Sequence, residues 1–237
     1  MLQVQIAVAK THKYARRESG DTVEIVERPH GGLSVMLVDA QGSGFAAKTI
    51  SNLVISRGAA MIKEGMRDGA VARAVHDYLY TLRQGRVLAT LIIASVDLQS
   101  KSLILSRNDE CPAYFFSPDH IEVHDEPSTP IGIYIRSKPV IVQESLADYQ
   151  GVLITSDGVT GAGERRGARF DVRGFLQQQL AQGWPGAQEL ADAVLEQALA
   201  LEDGRPRDDA SVVVVTLTPG EDRGAPIRRL IAHLPVE

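Results

Sequence analysis

The sequence predicts an α+β fold: two antiparallel sheets packed face to face, with a helix pair on each outer side. Two observations carry this. Strand-like and helix-like segments come in blocks, in the order strands, two helices, many strands, two helices, strand. A parallel sheet with crossover helices would need strict alternation instead. The last strand-like segment contains Val212 to Val215, apolar on both faces, as a central strand requires.

Each element has its own signal. Leu2 to Ala9 alternates apolar and polar residues and reads as a strand. A polar turn, residues 15–21, separates it from strands at Thr22 to Val26 and Leu33 to Val38. Pro29-His30-Gly31-Gly32 supplies the turn of a hairpin between those two. From Phe45 to about Gly65, Ile50, Leu53, Val54, Met61 and Ile62 recur at helical spacing. Arg67 to Leu82 is a second helix, with Val71, Val75, Tyr78, Leu79 and Leu82 on one face and Gly85 to end it. Strands follow at Val87 to Val96, Ser102 to Ser106, Ala113 to Phe116, Ile121 to His124, Val140 to Gln143 and Val152 to Thr155. Helix returns at Val172 to Gln182 and Ala187 to Leu201, split by Gly183-Trp184-Pro185-Gly186. Ser211 to Leu217 is the last strand. Residues 1–218 read as one domain, Pro219 to Pro226 as a linker and Ile227 to Glu237 as a short tail.

Composition narrows the function. The 237 residues suffice for a sizeable core, and 44% hydrophobic with 23% charged residues is ordinary for a globular protein. The formal net charge of -5 and the absence of a long basic run argue against a nucleic-acid or anionic-membrane partner. The lone Cys111 excludes an intrachain disulfide and a cysteine-based zinc cluster. There is no charged-then-apolar leader pattern and no bilayer-length apolar run. The expectation is a cytoplasmic protein.

Three acidic motifs border apolar runs. Asp39-Ala40-Gln41-Gly42-Ser43-Gly44 follows Val-Met-Leu-Val, Thr155-Ser156-Asp157-Gly158 follows Gly-Val-Leu-Ile, and Asp208-Asp209-Ala210-Ser211 leads into the four valines. Carboxylates at strand ends are placed to meet, and three meeting carboxylates repel unless a cation lies among them. Hard oxygen ligands suit Mg²⁺ or Mn²⁺. A metal hydrolase is the leading reading. Each motif also has a plain structural reading. Asp39 would cap a helix starting near Ser43. Asp157-Gly158 would turn a hairpin, although the loop-like Thr160 to Gly167 that follows is not a returning strand. Asp208-Asp209 would be a solvated turn; on extended backbone the two side chains point different ways, so one faces a site.

Together and in this order, the motifs resemble the metal-dependent serine/threonine protein phosphatases of the 2C type. The bacterial sporulation and stress-response branch, SpoIIE/RsbX-like, is the most similar. The resemblance runs from about Ser19 to Leu217. Gly20-Asp21 matches an early Gly-Asp, and Asp39 to Gly44 an Asp-x-x-Gly-x-Gly segment. Residues 107–113 stand in place of Asn-Ala-Gly-His-Pro-Pro, Ser156 to Val159 match Thr/Ser-Asp-Gly-Val, and Asp208 to Ser211 match the closing Asp-Asp/Asn-x-Thr/Ser. The resemblance implies an α-β-β-α sandwich and two Mn²⁺ or Mg²⁺ ions. Asp39 would bridge them, the Ala40 carbonyl would add a ligand, Asp157 and Asp208 would hold the second ion, and Asp21 would act through water. The substrate would be phosphoserine or phosphothreonine on a protein, of the anti-anti-sigma or stressosome type, with no covalent phosphoenzyme.

Two departures stand out. Ala40 replaces a glycine of eukaryotic members, and Gln41 stands where many of those have a histidine proposed as general acid. Arg16 precedes Asp21 at a distance suited to gripping substrate phosphate, against the plainer reading of a solvated arginine. The six histidines are scattered and read as ordinary surface residues, His120 and His124 included. A catalytically weak, partner-binding version of the fold is the competing function. Another two-metal phosphohydrolase, such as a nuclease, is disfavoured by the acidic balance.

Overall fold

The structure is a computed structural model; it describes residues 2–147, 149–220, 229 and 231–233. Strands β1 (Leu2–Thr11), β2 (Thr22–Glu27) and β3 (Gly32–Val38) precede helices α1 (Phe45–Lys63) and α2 (Asp68–Arg83). Six strands follow: β4 (Leu91–Asp97), β5 (Ser102–Asn108), β6 (Ala113–Ser117), β7 (His120–His124), β8 (Val140–Ser145) and β9 (Gln150–Thr155). A single turn, α3 (Asp157–Thr160), leads to α4 (Val172–Ala181), α5 (Ala187–Leu201) and β10 (Ala210–Pro219).

The strands form two five-stranded sheets, ordered β1-β10-β9-β6-β7 and β2-β3-β4-β5-β8. Every strand pair is antiparallel. The predicted α+β sandwich is the one observed.

Strand alternation builds its layers, because successive side chains leave opposite faces of a strand. In β10, Val213, Val215 and Leu217 enter the core between the sheets, while Val212 and Val214 meet α4 and α5. In β3, Val35 and Leu37 face the other sheet, while Met36 and Val38 pack under α1 and α2. The central strands therefore had to be apolar throughout.

Two readings change. The apolar run from Val87 does not pair as one long strand. Its first part makes only isolated bridges, Ala89 to Ala40 and to Ile131, and β4 starts at Leu91. Nor are all histidines superficial: His76 is 2% exposed and His124 5%. His76 is held because its Nδ1 accepts the Gly132 N–H, and His124 because its ring packs edge-on against Phe115. The expected linker and tail, 219–237, lie mostly outside the described residues.

This layering sets unequal costs for truncation. Leu37→Ala, in the inter-sheet core, should destabilise by about 2–5 kcal/mol. Ile135→Ala, at a side chain 79% exposed, should change stability by less than about 0.5 kcal/mol. Urea unfolding of the two variants checks this; equal losses would contradict the assignment of the core.

Candidate metal centre

The alternation that fills the inter-sheet core also delivers carboxylates to its end. Counting back by twos along β2 from Ile25 and Val23 reaches Asp21. Counting forward along β3 from Val35 and Leu37 reaches Asp39, and along β5 from Leu103 and Leu105 reaches Arg107 and then Asp109. Counting back along β10 from Val215 and Val213 reaches Ser211, which donates to Asp21 Oδ2 at 2.6 Å. The site closes one open end of the layer between the sheets.

Asp21 is fully buried, and its Oδ1 has no hydrogen-bond partner among the described residues. Its backbone carbonyl accepts from Lys10 Nζ at 3.0 Å and Lys48 Nζ at 2.8 Å, which fixes the residue from both sides. Asp39 does not cap a helix: α1 begins beyond Gly44, without a side-chain cap. Gly44 holds φ 71°, a left-handed conformation that favours glycine. The strand register continues past Asp39, with Thr90 N donating to the Asp39 carbonyl and Gln41 N to Leu88 O. That pattern uses the groups on either side of Ala40. The Ala40 carbonyl is therefore turned to the opposite edge, the side of β2 and Asp21.

Asp157 is the first residue of α3, directly after β9. The end of β9 is locked to β10, since Ser156 N donates to Ser211 O and Ser211 N to Ser156 Oγ, each at 2.9 Å. Gly158 is required here: a Cβ on it would stand 2.1 Å from the Asp209 carbonyl oxygen. Asp208 and Asp209 divide as adjacent residues on extended chain must. Asp209 turns inward and accepts from Lys13 N at 2.8 Å and Gly20 N at 2.7 Å, pinning the loop that leads to Asp21. Asp208 faces the cluster and is half-exposed, with Lys13 Nζ at 4.0 Å.

The electrostatics follow from this crowding. Burial, then the charges of Asp21, Asp157, Asp208 and Asp109, raise the pKa of Asp39 to about 9. Burial raises Asp21 to about 6, against the hydrogen bond from Ser211. Asp109 is also raised to about 6 by burial, partly offset by the Cys111 N–H that donates to it at 2.8 Å. Asp157 stands at the rim, open on one side; lost hydration on the other, then the charge of Asp208, raise its pKa. An unpartnered buried carboxylate oxygen, a ring of mutually repelling carboxylates and an all-oxygen donor set fit a hard dication such as Mg²⁺ or Mn²⁺.

Of the residues picked from sequence, Asp21, Asp157 and Asp208 lie within electrostatic reach of Asp39, and Ala40 follows Asp39 in the chain. Arg16 lies exposed in the loop between β1 and β2, tied to it by its own N–H to Lys13 O at 3.1 Å. Asp109 belongs to the cluster and was not selected. The signal was its place at the end of the alternating Leu103, Leu105, Arg107 face. Cys111, beside it, is buried, and burial pushes its thiol well above the usual range, so it is no nucleophile.

The profile of Stage II sporulation protein E (SpoIIE) matches residues 29–218. The chain belongs to the SpoIIE family. Two curated SpoIIE proteins, from Priestia megaterium and Bacillus subtilis (strain 168), are 21% and 22% identical over 90% and 91% of the chain. This SpoIIE-family chain spans 36% and 26% of those two proteins' lengths. A solved structure of the PP2C phosphatase domain of Bacillus subtilis SpoIIE, with a fragment of its regulatory domain, superposes with a TM-score of 0.77 at 22% identity. The match covers 92% of this chain and 64% of that one. The sandwich is thus the PP2C phosphatase fold.

The crowded carboxylates make a prediction for the metal-free protein. The folded-state pKa values of Asp21, Asp39 and Asp109 lie above the ordinary value of 3.8, so ionising them works against the fold. Their stabilising contribution is complete below about pH 4 and is lost as pH rises through the folded values, about 6 and then about 9. Chelated protein should melt at a lower temperature near pH 8 than near pH 5, and a divalent ion should remove most of the difference. Asp39→Asn, which keeps the shape and removes the charge, should raise the melting temperature of chelated protein near pH 8. A lower melting temperature for that variant would show that the carboxylates do not repel.

Proposed function

We propose that this chain is a metal-dependent protein serine/threonine phosphatase acting in the cytoplasm. Its substrate is phosphoserine or phosphothreonine on a bacterial signalling protein of the anti-anti-sigma or stressosome type. The observation that supports the reading is the convergence of Asp21, Asp39, Asp157 and Asp208 on one end of the sandwich in a SpoIIE-family chain.

In this reading Asp39, the Ala40 carbonyl, Asp157 and Asp208 would hold two Mn²⁺ or Mg²⁺ ions, with Asp39 serving both, and Asp21 would act through water. The bound ions would supply a water nucleophile at neutral pH and charge neutralisation at the phosphate. The chain's own residues do the rest. Ser211 holds one oxygen of Asp21 and leaves the other free to orient water. Asp209 anchors the loop that carries Arg16, from which the guanidinium reaches substrate phosphate. Gln41 has no proton to give as an acid, so solvent protonates the departing serine or threonine oxygen.

Hydrolysis of a phosphoserine peptide should require Mn²⁺ or Mg²⁺ and stop with a chelator; full activity after exhaustive chelation would refute the metal mechanism. Asp21→Asn should lower kcat by about 10–100-fold, as loss of a group outside the ligand shell does. Asp39→Asn should cost more and weaken metal binding as well, because its carboxylate serves both ions. Equal small losses in the two variants would remove Asp39 from the bridge. No hydrolysis in the wild-type chain with metal present would favour a binding regulator built on the same fold.

A further inference from the structure

A second group of ligating side chains lies outside the aspartate cluster, where the outer strands of the two sheets meet. Glu122 and His124 are on β7, the edge of one sheet, and Glu144 is on β8, the edge of the other. One donor atom from each lies within 4.8 Å of the other two. Glu144 pairs with Leu103, six residues along β5 from Asp109, which is roughly 20 Å at the rise of a strand.

His124 decides what this cluster is. The residue is 5% exposed, and its Nε2 is buried without a hydrogen-bond partner among the described residues. That nitrogen faces Glu122 Oε1 at 3.6 Å. An orphaned imidazole nitrogen inside a protein is costly, and here it points at carboxylates. The other ring nitrogen, Nδ1, stands 3.9 Å from Glu126 Oε1, too long for a hydrogen bond but close enough for the charge of that carboxylate to act on the ring. Glu144 is positioned too, since its Oε2 accepts from Gln150 Nε2 at 2.7 Å. The charges agree: three glutamates surround His124, one of them paired with the buried Arg107 at 3.5 Å, which leaves two negative charges to balance.

We infer that Glu122, His124 and Glu144 form a separate metal site for a zinc-class transition ion, stapling β7 of one sheet to β8 of the other. An imidazole with carboxylates suits Zn²⁺ or Co²⁺, whereas the all-oxygen aspartate cluster suits Mg²⁺ or Mn²⁺. Bonds of about 2.0–2.2 Å to a tetrahedral zinc place donors about 3.4 Å apart, so the three need close by little more than an ångström. The staple also reaches the catalytic end. Arg107 Nη2 donates to the Glu126 carbonyl, and Arg107 Nη1 donates to the carbonyls of Asp109 and Cys111, so the segment behind His124 and the Asp109 loop share one guanidinium.

The test uses the full chain carrying Asp39→Asn and Asp157→Asn, which weaken the aspartate centre. Calorimetric titration with Zn²⁺ should still show one bound ion per chain, and that ion should raise the melting temperature. Adding Glu122→Gln or Glu144→Gln should weaken it by about tenfold or more. Adding His124→Gln should abolish it. His124 is buried, so its variant also tests folding, whereas Glu122 and Glu144 lie on edge strands and keep solvent contact, so their variants carry the test. Co²⁺ should give the intense visible absorption of a four-coordinate ion, lost in Glu144→Gln. The inference is overturned if no zinc remains in the Asp39→Asn/Asp157→Asn chain. It is equally overturned if zinc stays with unchanged affinity after both glutamates are replaced.

Discussion

Repulsion among carboxylates at the end of the inter-sheet core is the constraint around which the rest is arranged. Folding brings Asp21, Asp39, Asp109, Asp157 and Asp208 within electrostatic reach of one another. Without a cation their ionisation opposes the fold, and Asp39 carries the largest burden because the other four surround it. The scaffold that tolerates this is rigid. Three apolar layers, one between the sheets and one under each helix pair, hold strand ends that cannot move apart without opening the core. Under the proposed function this sets activity against stability: the charges that would gather a dication are the charges the metal-free chain would be better without.

Much of this was legible because strand periodicity is legible. The block order of elements gave the sandwich, and the four valines of β10 marked a strand apolar on both faces. The same period-two rule carries the inter-sheet face outward into Asp21, Asp39 and Asp109, so core and site are one pattern read to its end. Asp39 and Asp157 stood out because apolar runs lead straight into them. The split between Asp208 and Asp209 followed from extended geometry, but which of the two faces the site depended on Lys13 and Gly20, almost two hundred residues away in sequence.

What escaped the sequence depended on partners from distant strands. Asp109 was hidden because residues 107–113 depart from the pattern expected there, and only the packed sheets bring the charge of Asp157 to act on it. His124 sits on a short edge strand with polar neighbours, which reads as surface. It is buried because β7 closes against Phe115 on one side and faces β8 of the opposite sheet on the other. No local signal encodes an encounter between two sheet edges.

Arg107 shows how the two regions are joined. It occupies an inter-sheet position in the alternation of β5, where Leu103 and Leu105 are apolar, yet it is fully buried. A buried guanidinium is tolerated only when its donors are met. Here three hydrogen bonds from Nη1 and Nη2 go to carbonyls of the loop after β5 and of the segment after β7, and its charge is met by Glu126, while Nε has no hydrogen-bond partner among the described residues. A leucine in its place would fill the core as well but would leave those carbonyls unpaired and the Asp109 loop without an anchor. The residue therefore exchanges apolar packing for a fixed loop. That exchange makes sense at this place because the loop delivers a carboxylate to a site whose geometry must survive its own repulsion.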